Sequence, residues 1–350
     1  MNEKEKIFKD LYPFILNEDV TDIKWNGHSL WIEDLKKGRL KTNIHLSDQF
    51  LKVFTTRIAA IANVNFNVSY PYLQASIEDL RIHALFPSIT SDGKYILAIR
   101  KAPAIARLND DSFLNDAFAD ALIQELLKAL IRCHCSGIII GDTGAGKTEL
   151  QKYIASFLPE NESCMTIEDA LEMHLPKLYP NKDIFAIQIN ENYQMEQAIR
   201  DALRLLIRYL WIAEARGREI HRILEGASTG CCAWTTIHTG NVWEIPDRIV
   251  QMAGGENVEN NALENDFYTF FDVGIKVKKH INEKGIHRNI SQICFFYRSQ
   301  KKNHISLFMH NGKYTGNKIP ESIMMKFIEN NEWRLLELLK EVKNEKNELL

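Results

Sequence analysis

The sequence predicts an α/β protein in two parts: a small α+β domain over residues 1–100 and a larger α/β domain over residues 113–350, joined by a linker at 101–112. Three observations predict it. From residue 137 onward, short apolar runs alternate with helical periods, the pattern of a sheet covered by helices on its faces. A glycine-rich loop at 141–148 sits between one such run and a helical stretch. The first hundred residues carry short strands around one amphipathic helix instead.

The elements follow in order. The start, M-N-E-K-E-K-I-F-K-D-L, is charged and amphipathic and lacks an apolar h-region, so no secretory signal is expected. Phe8, Leu11, Phe14 and Ile15 predict a helix packed on its own domain rather than on a membrane surface. D-I-K-W-N and S-L-W-I-E-D read as strands, and S-D-Q-F-L-K-V-F-T-T-R-I-A-A-I-A-N as a helix with serine at its N-cap. Two further strands, I-E-D-L-R-I-H-A-L-F-P and K-Y-I-L-A-I-R-K, are joined through S-D-G. K-A-P-A-I-A-R-L-N-D-D-S holds a proline and no sustained period, which marks the linker. A helix is expected from about Phe113 to Cys133. Strands are expected at G-I-I-I, C-M-T-I, I-F-A-I-Q-I, Y-L-W-I-A and C-A-W-T-T-I. Residues 254–268 read as a loop, followed by hairpin-like strands and one charged C-terminal helix with an open tail.

Bulk properties narrow the function classes. A chain of 350 residues with 45% hydrophobic and 25% charged residues is ordinary for a soluble globular protein. No window approaches the roughly 18 apolar residues of a spanning helix, so the cytoplasm is the expected compartment. A net charge of −3 argues against a dedicated nucleic-acid binder. The six cysteines show no second pair at zinc-ligand spacing, so reduced, buried thiols are expected.

The chemistry begins at G-D-T-G-A-G-K-T. It matches G-x-x-x-x-G-K-[ST] through Gly141, Gly146, Lys147 and Thr148, with a strand before it and a helix after it. Glycines let successive backbone N–H groups turn toward phosphate oxygens, and the helix that follows adds the positive end of its dipole. Lys147 would meet the β and γ phosphates and Thr148 would offer its hydroxyl to Mg²⁺. The candidate nucleotide-binding set is Gly141, Thr143, Gly144, Ala145, Gly146, Lys147, Thr148 and Glu149.

Downstream lie T-I-E-D-A-L-E with Glu168 and Asp169, then L-R-L-L-I-R-Y-L-W-I-A-E-A-R-G with Glu214 and Arg216, then T-G-C-C-A-W-T-T-I-H-T-G-N with His238. Taken singly, acids at a strand end or a lone histidine have structural readings: helix-dipole pairing, or a surface side chain. As an ordered set the four motifs resemble the secretion-type traffic ATPases, which power type II and type IV secretion, conjugation and type IV pilus assembly. The likeness covers most of residues 137–250, and T-D-I-K-W-N and the arginine-bearing strands near the N-terminus are similar too. That family carries a Walker A loop, an acidic Asp box, a Walker B whose carboxylate is glutamate, and a His box.

The resemblance implies a RecA-like P-loop ATPase domain, extended by C-terminal helix, behind a PAS-like, sensor-like α+β domain. It implies ATP and Mg²⁺ as ligands, a homohexameric ring, and partners among inner-membrane secretion or conjugation channel proteins. Membrane association would be peripheral, through those partners, with no direct nucleic-acid binding. By motif, Glu168 would be the general base, Glu214 would hold the Mg²⁺ shell together with Thr148 and Asp169, and His238 would sense the γ phosphate. Arg81 and Arg100 fit the arginines that reach the γ phosphate in this family, the arginine-finger role. Either of Glu168 and Glu214 can serve as base, since both would lie near one metal.

The chain departs from the family pattern in places. Ile207 and Arg208 stand where Pro-Asp is common, Ala213 replaces the glycine before Glu214, and Cys231 replaces the first histidine of T-G-H. A methyl group at Ala213 would crowd the metal site and slow turnover. No tetracysteine module is present in the sequence, and the domain lengths are more like those of the type IV secretion and conjugation branch. Two other classes compete: a nucleotide-binding docking ring with little hydrolysis, and a P-loop kinase or DNA motor. Intact Glu168, Glu214 and His238 weigh against the first, and the acidic charge and separate N-terminal domain against the second.

Overall fold

The computed structural model describes residues 3–254, 259–282 and 285–347. Two compact units divide the chain, Met1–Ala104 with Ile281–His287, and Ile105–His280 with Arg288–Leu350.

In the first unit, strands β1 (Val20–Trp25), β2 (Leu30–Asp34), β3 (Gly38–Lys41), β4 (Tyr72–Ile77), β5 (Leu80–Leu85) and β6 (Ile96–Lys101) form an antiparallel sheet in the order β3-β2-β1-β6-β5-β4. The helix Asp48–Ile61 lies on it. Leu51, Phe54, Thr55, Ile58 and Ala59 make its buried stripe at helical spacing, and Ser47 caps it by accepting the Phe50 N–H at 3.1 Å. Phe8 and Leu11 are buried in the same core, with Phe14 and Ile15 packed against it, so the N-terminal apolar face is used inside its own unit. The stretch read as one strand, I-E-D-L-R-I-H-A-L-F-P, holds the turn and the second strand of a hairpin whose first strand is β4. It turns at Glu78, where φ is +51°, without the Gly or Asn that usually marks such a turn.

The second unit is built on β7 (Gly137–Ile140), β8 (Cys164–Glu168), β9 (Ile184–Gln188), β10 (Tyr209–Ile212), β11 (Cys232–Ile237), β12 (Val273–Asn282), β13 (Gly285–Ser299), β14 (Lys302–His310) and β15 (Lys313–Tyr314), in the order β15-β14-β13-β12-β7-β11-β10-β8-β9. The pairings from β12 to β9 are parallel, and those from β13 to β15 antiparallel. All five apolar runs expected as strands are strands. In β7, β8, β10 and β11 the nearly continuous apolar character follows from burial on both faces, whereas β9 is an edge strand and part-exposed. Ile138, Ile140, Met165, Ile167, Leu210 and Ile212 fill the core on one face; Ile139, Cys164, Trp211 and Trp234 belong to the other.

Trp211 and Trp234 stack at 5.8 Å between centroids and 15° between planes. This pair fixes Gly137, because a Cβ there would lie 2.5 Å from the Trp234 ring. Gly137→Ala is therefore expected to destabilise the second unit by about 1–3 kcal/mol through overpacking, read as a lower urea midpoint.

Three helical expectations change. The helix expected at 113–133 is two, Asp110–Asn115 and Ala121–Arg132, broken at Ala117 with φ +53° and restarted by Asp120, which caps the Ile123 N–H at 3.0 Å. The 254–268 loop contains most of the helix Glu259–Phe270, and residues 255–258 lie outside the described residues. The C-terminal helix is a pair, Glu321–Glu329 and Trp333–Asn347, and residues 348–350 of the expected open tail lie outside the described residues. The six cysteines are unpaired and buried. No helix among the described residues is long and apolar enough to cross a membrane.

Candidate nucleotide site

The parallel strands run the same way, so their carboxyl ends lie along one edge of the sheet, where open α/β sheets bind ligands. β7 leads into the glycine loop, β8 ends at Glu168, β10 leads to Glu214 and β11 to His238.

In the loop, Gly144 (φ +74°) and Gly146 (φ +102°) take the left-handed conformation that glycine alone adopts without strain. A Cβ on Gly141 would meet the Val277 carbonyl oxygen of β12 at 2.4 Å, so the close approach of these backbones excludes any other residue. Gly146 is the N-cap of the helix Lys147–Ala155 and offers no side-chain cap. The N–H groups of that first turn have no partner within the helix. Ala145 is fully buried, Thr143 is exposed at the loop tip, and Thr148 is half-buried on the first turn. The Lys147 ammonium donates to the carbonyl oxygens of Gly141 (2.6 Å) and Asp142 (3.4 Å). Burial lowers its pKa, with Glu214 and Asp142 acting against that shift. Glu149 is held from behind by the Arg107 N–H (2.9 Å), Lys152 (3.1 Å) and the Arg107 guanidinium (3.6 Å).

A linked row of charges stands beside the loop. The Glu214 carboxylate contacts His238 Nε2 at 3.0 Å through one oxygen and accepts from Arg216 at 2.7 Å through the other. Arg216 also donates to Asp169 at 2.9 Å. His238, Glu214, Arg216 and Asp169 thus form one chain of contacts across the ends of β11, β10 and β8. The hydrogen bond to Glu214 heads the causes that raise the Arg216 pKa. In the sequence Arg216 was only a motif match; its part in joining two acids depends on a fold that brings residues 169 and 216 together.

Glu168 is set apart from this row. It is 1% exposed, and its Oε2 accepts the N–H groups of Glu172 (2.8 Å) and Met173 (3.0 Å). Its Oε1 is buried with no hydrogen-bond partner among the described residues. Burial pushes its pKa up to about 7, against the pull of those two N–H groups.

Of the departures from the family pattern, Ala213 lies at this edge and the others at the opposite ends of the strands. Ala213, just past the end of β10, is part-buried against the core that holds Trp211 and Trp234. Its N–H continues the ladder to the Ile167 carbonyl (3.0 Å), and its carbonyl accepts the Thr236 hydroxyl (2.8 Å). Arg208 and Cys231 lie at the amino ends of their strands, where Arg208 donates to the Gly230 carbonyl (3.0 Å) and Cys231 to that of Ile207 (3.1 Å).

Arg81 and Arg100 belong to the first unit, opposite one another on β5 and β6. Arg100 bonds Asp22 of β1 at 3.2 Å, and Asp22 and Arg100 are also partners in register. The carboxylate offsets two cations placed side by side.

Among the described residues no group of three or more His, Cys, Asp or Glu could by itself hold a metal ion. The donor set still suits Mg²⁺, which takes one or two protein oxygens and completes its shell with phosphates and water. Thr148 supplies a hydroxyl, and Glu214 a carboxylate close enough to influence Lys147. Asp169 offers a second carboxylate, and it shares Arg216 as a partner with Glu214.

The family model described as Type II/IV secretion system protein matches residues 67–267. An uncharacterized protein of Bacillus anthracis is 28% identical over 278 residues, 79% of this chain and 61% of that protein, so the chain spans less than two thirds of that relative's length. The type IV secretion system protein PtlH of Bordetella pertussis is 23% identical over 246 residues, 63% of this chain and 72% of its own. In fold, the chain is similar to the ATPase DotB of Yersinia pseudotuberculosis, with a TM-score of 0.64, 14% identity, and coverage of 99% of this chain and 87% of that one. With the family model covering more than half of its residues, the chain belongs to the Type II/IV secretion system protein family.

Proposed function

We propose that this chain is a Mg²⁺-dependent ATP-hydrolysing motor of a type IV secretion or conjugation machine. Its second unit would be a RecA-like catalytic domain (from about residue 113, after a linker at 101–112), and its first a PAS-like domain. The observation that carries the reading is the meeting of the Lys147 loop with the His238–Glu214–Arg216–Asp169 row at the carboxyl edge of a parallel sheet.

The loop N–H groups and Lys147 would hold the phosphates. Thr148, Glu214 and Asp169 would hold Mg²⁺, which when bound neutralises charge on the β and γ oxygens. Glu168 is suited to take a proton from the attacking water, because a base works best when its pKa lies near the working pH. Its Oε2 is fixed by backbone and its Oε1 is free to accept. His238, held on Glu214, is placed to respond to the γ phosphate. Arg81 and Arg100 would serve as the arginine fingers, neutralising charge that develops in transfer.

A homohexameric ring on the inner face of the cell membrane, held there by channel proteins, is the working assembly in this reading, without direct nucleic-acid binding. The PtlH relationship supports the secretion-machine setting, and the modest −3 charge the lack of direct nucleic-acid binding.

The test is steady-state phosphate release by the full chain with ATP and Mg²⁺. Lys147→Ala is expected to lower it by at least about 100-fold, the scale of removing one positioned donor to transition-state charge. Tight ATP binding without turnover, not restored by partners and membranes, would replace the motor with a nucleotide-binding docking ring.

A further inference from the structure

Arg288 stands on β13, more than 130 residues from the glycine loop, and no motif includes it. Its Nε donates to the Gly144 carbonyl at 3.2 Å. Its Cδ lies so close to Gly146 that a Cβ there would sit 3.3 Å away. The side chain therefore covers the middle of the loop. The neighbouring strand β12 contributes Lys279, whose ammonium lies 3.9 Å from where a Gly144 Cβ would be.

Among the described residues Arg288 has no carboxylate within ion-pair distance. Glu149, the acid that influences it, is already shared by Lys152 and Arg107. Burial and the neighbouring Arg107 lower the Arg288 pKa, as expected for a half-buried cation that lacks a close counter-charge. A cation held in this way is compensated when an anion arrives.

We infer that Arg288 is a phosphate-binding residue of the nucleotide site, bracing the loop through Gly144 and adding a positive charge at the α and β phosphates. The position selects that end of the nucleotide. Loop backbone cradles the α and β phosphates, whereas Lys147 reaches toward the γ. Arg288 touches the loop backbone, while the row from His238 to Asp169 is placed for the γ end. Lys279 is an accessory cation at the same face. The inference rests on the nucleotide reading of the loop and makes a narrower claim: ADP and ATP depend on Arg288 equally, because it serves the phosphates they share.

The experiment is calorimetric titration of the full chain with Mg-ADP and with a non-hydrolysable ATP analogue, for the parent, Arg288→Ala, Arg288→Gln and Arg288→Lys, with KM for ATP measured alongside. Loss of a charge-assisted hydrogen bond to phosphate should weaken both ligands by about tenfold or more in the alanine variant. Arg288→Gln tests the bracing role, since its amide can still donate to Gly144 but carries no charge. It should bind as weakly as alanine, with Arg288→Lys recovering most of the affinity. The kinetic loss should be carried by KM more than by kcat.

Alanine and glutamine variants that bind ADP within about twofold of the parent would overturn the inference while leaving the nucleotide reading intact. Glutamine at parent affinity beside a weakened alanine would reduce Arg288 to a brace, which also overturns it. A parent that binds neither ligand would overturn the nucleotide reading, and this inference with it.

Discussion

Changing Glu168 to glutamine is expected to lower phosphate release by about 10²–10⁴-fold, the usual contribution of a general base. The same change should alter how stability depends on pH. In the folded chain burial raises the Glu168 pKa from 4.5 to about 7. A raised pKa means that the folded state holds the proton more tightly than the unfolded one. Stability from this group is therefore full below pH 4.5 and is lost as pH rises to about 7. At about 1.36 kcal/mol per pKa unit, the loss is on the order of 3 kcal/mol. Glutamine does not titrate. Its buried NH₂ group, placed where Oε1 finds no partner, costs about 1–3 kcal/mol at every pH. The stability of Glu168→Gln relative to the parent should thus improve between pH 5 and pH 7.5, measured by urea midpoints at each pH. In the parent, kcat should fall about tenfold per unit below pH 7, as the base becomes protonated. Glu214→Gln should lose activity but keep that acid limb in whatever rate remains. If Glu168→Gln hydrolyses ATP at the parent rate while Glu214→Gln does not, the two roles are exchanged and Glu214 is the base.

These expectations join two kinds of information. The order of Lys147, Glu168, Glu214 and His238 is written in the sequence, because each follows an apolar run that becomes a strand, and parallel strands end on one side. The difference between the two glutamates is not. Both close similar apolar runs, and only the fold buries Glu168 among backbone donors while leaving Glu214 between His238 and Arg216. Arg288 was invisible for a related reason, since its contact with Gly144 joins segments far apart in the chain and no local pattern encodes it. The missed turns have local causes. Glu78 and Ala117 adopt positive φ without being Gly, Asn or Asp, so the turn at 78 and the helix break at 117 lacked their usual markers. The polar run E-N-V-E-N-N-A-L-E-N-D hides the start of a helix whose large buried rings, Phe267, Tyr268 and Phe271, come in or just beyond its last turn. Tertiary burial there outweighs a composition that reads as loop.

The second large effect is expected far from the nucleotide. Lys326, on the helix Glu321–Glu329, donates to Asp272 Oδ1 at 2.8 Å. The other oxygen of Asp272 accepts the Ser136 N–H at 2.9 Å, just before β7 begins. This pair ties a C-terminal helix to the amino ends of β7 and β12, opposite the edge that carries the loop. Burial acts to lower the Lys326 pKa, yet Asp272 and the neighbouring Cys135 together raise it. Lys326→Met would leave the Asp272 carboxylate, 15% exposed, with one backbone donor and no cation. Breaking such a pair from one side should cost about 2–4 kcal/mol, below the full range for a deeply buried pair because Lys326 is part-exposed. The loss should appear as a lower urea midpoint for the second unit. Adding Asp272→Asn removes the stranded charge while keeping an acceptor for Ser136, and should restore more than half of the loss. Nucleotide affinity of the folded Lys326→Met protein should match the parent, because the pair lies at the end of β7 away from Gly141. A single variant within about 0.5 kcal/mol of the parent, the ordinary range for surface substitutions, would show that apolar packing of Ile323 and Phe327 alone holds that helix in place.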